Sequence, residues 1–357
     1  MTAGSAAAPD PLAGGARSGP RVAVVGGGII GLAVAAELLD RGADVTVYDP
    51  APGGTDGAWH VAAGMLAGGR ESAFEYPHLA RLLEASHELW PSFAAGLGDV
   101  GFDEAGTLSV ALTADDVADR AREWKHQKLA RLSGSQLRDL EPALSPRVRA
   151  GVFAPADVQV DPRKVVAALR SSLTGRIVER RVTDMSGPDA DVTVVAAGCG
   201  TAALTGLPIR PVKGQVLRLR GEPGLLRHVI EGAADGRHVY LVPRADGEVV
   251  VGATQEERAD RQLTAGGVHD LLRAALDLVP GLAEHEITEG TVGHRPGSPD
   301  NAPLLGFLDD SRRTVVAAGH HRNGILLAPI TARLIADLVL TGSADPLLEA
   351  FAPGRFG

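Results

Sequence analysis

Residues 21–49 read RVAVVGGGIIGLAVAAELLDRGADVTVYD. Three of their glycines stand in the order Gly26-x-Gly28-x-x-Gly31, with an acid, Asp49, closing a second β-branched run. Glycines at this spacing let the backbone approach a diphosphate, and an acid about twenty residues further on can reach a ribose hydroxyl. Ile30 lies on the opening turn of the intervening helix, where free N–H groups and the helix dipole favour negative charge. The chemistry available to this stretch is dinucleotide binding, and the alternative is a crossover that holds no nucleotide. Other reactive residue types are sparse. Cys199 is the single cysteine, which excludes an intrachain disulfide and a cysteine-based metal cluster. His320, His321 and Arg322 are adjacent, but a histidine pair without an acid at ligand spacing does not make a metal site, and no metal is expected. Asp115-Asp116 reads as the solvated first turn of a helix.

These residues must be positioned by a body of some size. A chain of 357 residues implies two domains or one large interleaved α/β unit. Hydrophobic residues at 45% and charged residues at 22% fit a globular enzyme, and a formal charge of -9 without a basic tract argues against nucleic acid. Residues 1–20 lack the apolar run of a signal peptide and read as a disordered tail. No uncharged apolar stretch approaches the roughly 20 residues of a membrane span, so the expectation is a soluble, cytoplasmic protein.

Apolar spacing predicts helices from His78 to about Leu97, from Thr113 to about Leu129, and from Asp161-Pro162 through Leu173. Ser133-x-x-Gln136 has the form of a capping box. A buried strand, VTVV, leads into Ala196-Ala197-Gly198. Short β-rich runs at 216–220, 239–243, 248–251 and 287–293 predict an antiparallel sheet, interrupted by one helix at 268–278. A last strand, 314–318, runs through GHHRNG into a helix expected over 325–340. The run 50–69 reads as loop.

The fold class is therefore α/β: a Rossmann-like domain interleaved with a smaller α+β domain built on an antiparallel sheet. The expected boundaries are 21–80, 145–210 and 300–345 for the nucleotide-binding domain, and 81–144 and 211–299 for the substrate-binding domain. Nicotinamide enzymes usually bind their cofactor with one contiguous domain, whereas this interleaving suits a cofactor held from several sides. A helix N-terminus near Gly324 could face the anionic end of a reduced flavin. FAD, held non-covalently, is the expected cofactor.

Five blocks carry a resemblance: Ala62-Ala63-Gly64-Met65-Leu66; Pro211-Val212-Lys213-Gly214-Gln215; His238 to Arg244 with Val251-Gly252-Ala253-Thr254; Arg295-Pro296-Gly297; and Ala318 to Pro329. In type and order they resemble the glycine oxidases of thiamine biosynthesis, among the D-amino-acid oxidase-like FAD enzymes. The resemblance implies oxidation of glycine to an imine that feeds the thiazole or hydrolyses to glyoxylate and ammonia, with oxygen giving hydrogen peroxide. It implies that Arg295 grips the substrate carboxylate, that Tyr240 bonds the same group, that Arg322 lies beside the flavin and that Met65 lies near the substrate. His238, two residues from Tyr240, reads either as a residue of the entrance or as a strand histidine facing solvent. Ala63, Gly64, Met65, Val182, Ala197 and Gly198, together with His321, Arg322, Asn323, Gly324, Ile325 and Leu326, are the expected cofactor contacts beyond the first unit. A homo-oligomer is what the family suggests.

Taken without the resemblance, Arg295 reads as a turn arginine in a surface ion pair, Tyr240 as a half-buried strand residue, and Met65 as a gap filler. The rival functions are a D-amino-acid or sarcosine oxidase or dehydrogenase and, of a different class, a flavin-binding partner protein without turnover. The chain also departs from the family. Trp59-His60-Val61 stands where Ser or Thr is usual, Gln255 where some relatives have methionine, and the segment 173–192 is too short for the usual β-meander, leaving Val182 and Thr183 to meet the adenine.

Overall fold

The computed structural model describes residues 19–67, 76–185 and 187–356. The expectation for the N-terminal tail therefore lies outside the described residues up to residue 18.

A six-stranded sheet takes the strands Leu304–Phe307, Thr314–Ala318, Val192–Val195, Arg21–Val25, Asp44–Asp49 and Ile177–Glu179 in that spatial order, all pairs parallel except the first. Its central registers set valine beside valine, Val24 pairing with Val47 on one side and Val194 on the other, as strands covered on both faces require. The helix Ile29–Asp40 is buried on nearly every side; Leu32, Val34 and Leu38 are inaccessible, and the helix shares its core with Leu334, Ile335 and Leu338 of the C-terminal helix Ala328–Thr341.

An eight-stranded sheet is the second layer. Its spatial order is Glu286–Gly297, Arg210–Arg220, Glu248–Gly252, Arg237–Pro243, Val229–Ala234, Thr107–Ala111, Ala150–Ala154 and Arg131–Ser133. All its pairs are antiparallel except that of 229–234 with 107–111. The helix Ala265–Leu278 covers one face with Leu271, Ala274, Ala275 and Leu278. A third, two-stranded sheet pairs Met65–Leu66 antiparallel with Val158–Gln159.

Local chemistry sets several boundaries as expected. Thr113 caps the helix Ala114–His126, and Ser133 with Gln136 forms the expected capping box for Gly134–Leu140. The solvated reading of Asp116 needs correction: its carboxylate is buried, closes a capping box with Thr113 and accepts from the Asp235 and Gly236 N–H groups at 3.1 and 2.8 Å, so it ties the helix to a turn of the eight-stranded sheet. Asp161 caps Pro162–Ser172 by accepting from the Arg163 N–H at 2.8 Å.

Other boundaries need correction. Residues Ala58–Val61 form a helical turn within the expected loop 50–69. The helix Pro77–Leu97, assigned by sequence to the substrate-binding unit, packs Leu79, Leu82, Leu83 and Trp90 into the core of the nucleotide-binding sheet. Conversely Ala150–Ala154, assigned to the nucleotide-binding unit, is a strand of the eight-stranded sheet. The C-terminal helix starts at Ala328, after a 3-10 turn over His321–Asn323, and not at Ile325. Among the described residues between 173 and 192 one strand, Ile177–Glu179, forms.

The two sheets are fastened together by charge. Arg163 makes two hydrogen bonds to the Glu289 carboxylate, at 2.7 and 2.9 Å, and donates to the His60 carbonyl at 2.9 Å. Glu289 is on the eight-stranded sheet and is held below the usual carboxylate range, chiefly by Arg163. Such forked arginine contacts fix orientation as well as supplying energy.

Candidate active site

One cavity of about 1830 Å³ runs from the carboxyl ends of the parallel strands to the face of the second sheet. Clefts for a single small molecule span about 300–1,000 Å³, so this one has room for a dinucleotide and a second ligand.

At the nucleotide end, glycines permit backbone contact. Gly26 has φ +118°, and a Cβ there would lie 2.4 Å from the Ala196 carbonyl oxygen. A Cβ on Gly31 would lie 1.9 Å from the Gly26 carbonyl oxygen; Gly31 is thus a packing residue of the helix–strand unit. Gly28, Ile30, Ala197, Gly198 and Val182 all line the cavity. The Asp49 carboxylate accepts from the Gly27 N–H at 2.7 Å and from the Ala51 N–H at 2.8 Å. Each oxygen keeps lone pairs for a ribose diol.

Further along, Ala63, Gly64 and Met65 line the cavity, and Met65, Tyr240 and Ala253 all pack against one buried cluster that includes Val61 and Ala63. Arg244, which the motif contained but composition could not single out, holds this stretch: it donates to the Ala63 carbonyl and, at 2.7 Å, to Gln159 Oε1. His321, Arg322, Asn323, Gly324, Ile325 and Leu326 also line the cavity. The Leu326 carbonyl is fixed by Ser86 Oγ at 2.6 Å and Trp90 Nε1 at 2.9 Å.

Arg295 and Tyr240 meet at the far end. The Arg295 guanidinium donates to the Thr254 carbonyl at 3.2 Å and makes no ion pair among the described residues. A Cβ on Gly214 would lie 2.6 Å from Arg295 Nη1, and one on Gly252 would lie 2.4 Å from the Tyr240 hydroxyl. These two glycines clear space for side chains. Burial draws Arg295 below its usual value and raises Tyr240, with Arg295 partly opposing that rise. Burial lowers His321 to about 4, reinforced by Arg295 and Arg322, so its imidazole is neutral near pH 7. His320 is lowered to about 3 by burial alone, and its Nε2 meets the Thr331 hydroxyl at 3.1 Å.

The remaining predicted residues are less central. His238 lines the cavity wall, but its side chain is 57% exposed and its Nε2 lies 3.8 Å from Asp119, which marks an outer position. Cys199 lines the wall too, and burial pushes its thiol up to about 11, so it is no thiolate nucleophile.

The sequence marked Ala253, Thr254 and Gln255 at the start of the strap that runs to Thr264, but not Ala259 and Arg261, which line the cavity with Ala253 and Gln255. The strap is tied down by the inaccessible Lys213, whose Nζ lies 2.8 Å from Asp260. The signal was a lysine in the Pro211–Gln215 block, whose acid partner lies 47 residues away.

The residues present fit FAD: a backbone cradle with a ribose acid at one end, and a wall of fixed loops at the other. The chain matches the DAO family of FAD-dependent oxidoreductases over residues 21–338 and belongs to that family, whose cofactor is FAD. Among individual proteins, it is 36% identical to the bifunctional protein ThiO/ThiG of Synechocystis over 94% of this chain and 54% of that protein. The chain thus spans about half the length of the bifunctional relatives it matches. It is 33% identical to the glycine oxidase of Geobacillus kaustophilus, covering 89% of this chain and 92% of that protein. The crystal structure of glycine oxidase from Geobacillus kaustophilus superposes with a TM-score of 0.83 at 31% identity, covering 94% and 99% of the two chains. Among the described residues no helix is long and apolar enough to cross a membrane.

Proposed function

We propose that this chain oxidises glycine, or another small amino acid, giving an imine that hydrolyses to glyoxylate and ammonia, with oxygen reduced to hydrogen peroxide. The observation that carries the reading is Arg295: a half-buried guanidinium that lines the cavity and, among the described residues, donates to a backbone carbonyl and makes no ion pair. A desolvated cation of this kind is complemented by an anion, and the forked geometry of arginine suits a carboxylate. Tyr240 is beside it, kept protonated by burial, and can donate to the same group.

FAD supplies the hydride acceptor. The protein's own residues bind and orient. Arg295 and Tyr240 hold the carboxylate, Met65 and the Ala63–Gly64 backbone limit the space on one side, and Arg322 flanks the site on the other, so that one Cα–H is aimed across the cavity. Neutral His321 adds no positive charge near an amine that must lose its proton to react.

The likeness to glycine oxidases and ThiO proteins supports placing the reaction in the thiazole branch of thiamine synthesis. Non-covalent FAD and action in the cytoplasm belong to the same reading. The test is to purify the yellow protein and add glycine without oxygen. Bleaching, followed by peroxide on admitting air, supports the oxidase. Bleaching by sarcosine or D-alanine alone would move the assignment to a neighbouring oxidase, and colour that persists with every small amino acid would leave only a flavin-binding role.

A further inference from the structure

Trp59 stands where the resembling family usually has a small hydroxyl residue, and its surroundings give it a partner. The indole belongs to the turn Ala58–Val61, is 9% exposed and is braced against Gly57, whose added Cβ would lie 2.3 Å from Trp59 Nε1. Its Cδ1 lies 3.9 Å from the position a Cβ would take on Gly28, the central glycine of the nucleotide fingerprint. The ring edge is therefore beside the backbone over which a diphosphate must pass.

Arg170, in the last turn of the helix Pro162–Ser172, sets its guanidinium 5.0 Å from the centre of that indole ring. Arg170 lines the cavity and makes no hydrogen bond or ion pair through its guanidinium among the described residues. The acid that acts on it is Asp49, whose oxygens already accept from Gly27 and Ala51. Burial draws the Arg170 guanidinium below its usual value. Arg180, which also lines the cavity, contrasts with it: its guanidinium is committed to the Gly187 carbonyl at 2.7 Å and stacks on Tyr48 at 4.9 Å.

We propose that Arg170, held in place by stacking on Trp59, is a cationic clamp for the diphosphate of the bound dinucleotide. The charge balance favours it. A helix N-terminus offers about half a positive charge, well short of a diphosphate's two negative charges. Arg170 adds a full charge in a partly desolvated position, and the indole face fixes where that charge sits. In place of a hydroxyl contact, this chain uses an aromatic bracket and a long-range arginine.

The inference rests on FAD filling the cavity, and the experiment separates the two. FAD release from the purified holoenzyme is followed by the rise of free-flavin fluorescence, well below the unfolding temperature and from low to high salt. Charge-assisted hydrogen bonds of this kind predict about 10- to 100-fold faster release in Arg170→Ala and Arg170→Gln, with Arg170→Lys between them and wild type. Salt should accelerate release from wild type more than from Arg170→Gln. Trp59→Phe, which keeps an aromatic face, should stay near wild type, and Trp59→Ala should approach Arg170→Gln. Release from Arg170→Gln at the wild-type rate, whatever Arg170→Ala does, would assign the residue to packing and overturn the clamp. A wild-type protein that is colourless and takes up no added FAD would instead overturn the cofactor assignment on which the clamp depends.

Discussion

Glycines line both ends of the cavity and do opposite work there. At the nucleotide end, Gly26 and Gly31 bring backbone against backbone: the atoms an added Cβ would strike are the carbonyl oxygens of Ala196 and Gly26. At the end proposed to hold the substrate, Gly214 and Gly252 bring a side chain against backbone: the atoms struck are Arg295 Nη1 and the Tyr240 hydroxyl. The nucleotide end is thus a rigid cradle whose specificity lies in main-chain shape. The end proposed for the substrate is an arrangement of side-chain tips, where charge would set what binds. A backbone carbonyl in a packed helix–strand unit cannot retreat, whereas a guanidinium can pivot.

The sharpest way to break this contrast is to remove the charge. Arg295→Ala should weaken apparent glycine binding by roughly 2–5 kcal/mol, as when one partner of a buried charged pair is lost, while bound flavin stays near one per chain. Steady-state kinetics with the flavin spectrum as control would measure it, and a near-normal apparent affinity would remove Arg295 from the role. Next is Gly31→Ala, whose methyl would sit 1.9 Å from the Gly26 carbonyl oxygen. Overpacking of this kind costs about 1–3 kcal/mol and should appear as lost flavin and a lower melting temperature, with little change in glycine affinity in the fraction still yellow.

The third prediction concerns pH. His320 and His321 have folded-state values of about 3 and about 4, below the unfolded value of 6.5. The unfolded chain therefore binds more protons between those limits, and stability should be full above pH 6.5 and fall as pH drops toward 4. For the fully buried His320 the loss approaches about 1.4 kcal/mol for each pH unit below 6.5. Urea titrations at pH 7.5 and 5.5 would detect it, and a His320→Gln variant should show a shallower dependence. The smallest effect belongs to Gly214→Ala. Its methyl meets only the far end of Arg295, so we expect about 1 kcal/mol of lost apparent glycine affinity with flavin retention unchanged. A large loss of flavin in this variant would erase the distinction between the two ends.

Residues 21–49 determined their own structure and binding chemistry, because a βαβ unit is local: strand, turn, helix and acid are all within reach of one another along the chain. The caps at Thr113, Ser133 and Asp161 were legible for the same reason, each being satisfied within three residues. The strand Val229–Ala234 escaped notice because its Gly232 and alanines carry little β signal, and its place is fixed by strands on either side, one of them parallel. The helix Pro77–Leu97 was legible as a helix but not as part of the first core, since amphipathic spacing says that a face is buried without saying against what.

The substrate end shows the same limit more strongly. The sequence pointed to Arg295, Tyr240, Met65 and Arg322 only through motif resemblance; each alone reads as an ordinary turn, strand or core residue. Only the tertiary structure decided that Arg295 rests against Gly214, that Lys213 ties down the strap with Asp260, and that Arg170 stacks on Trp59 beside Gly28. These pairings join residues between 47 and 111 positions apart, and no local spacing rule reaches that far, since side-chain partners across a fold are chosen by which strands and helices become neighbours.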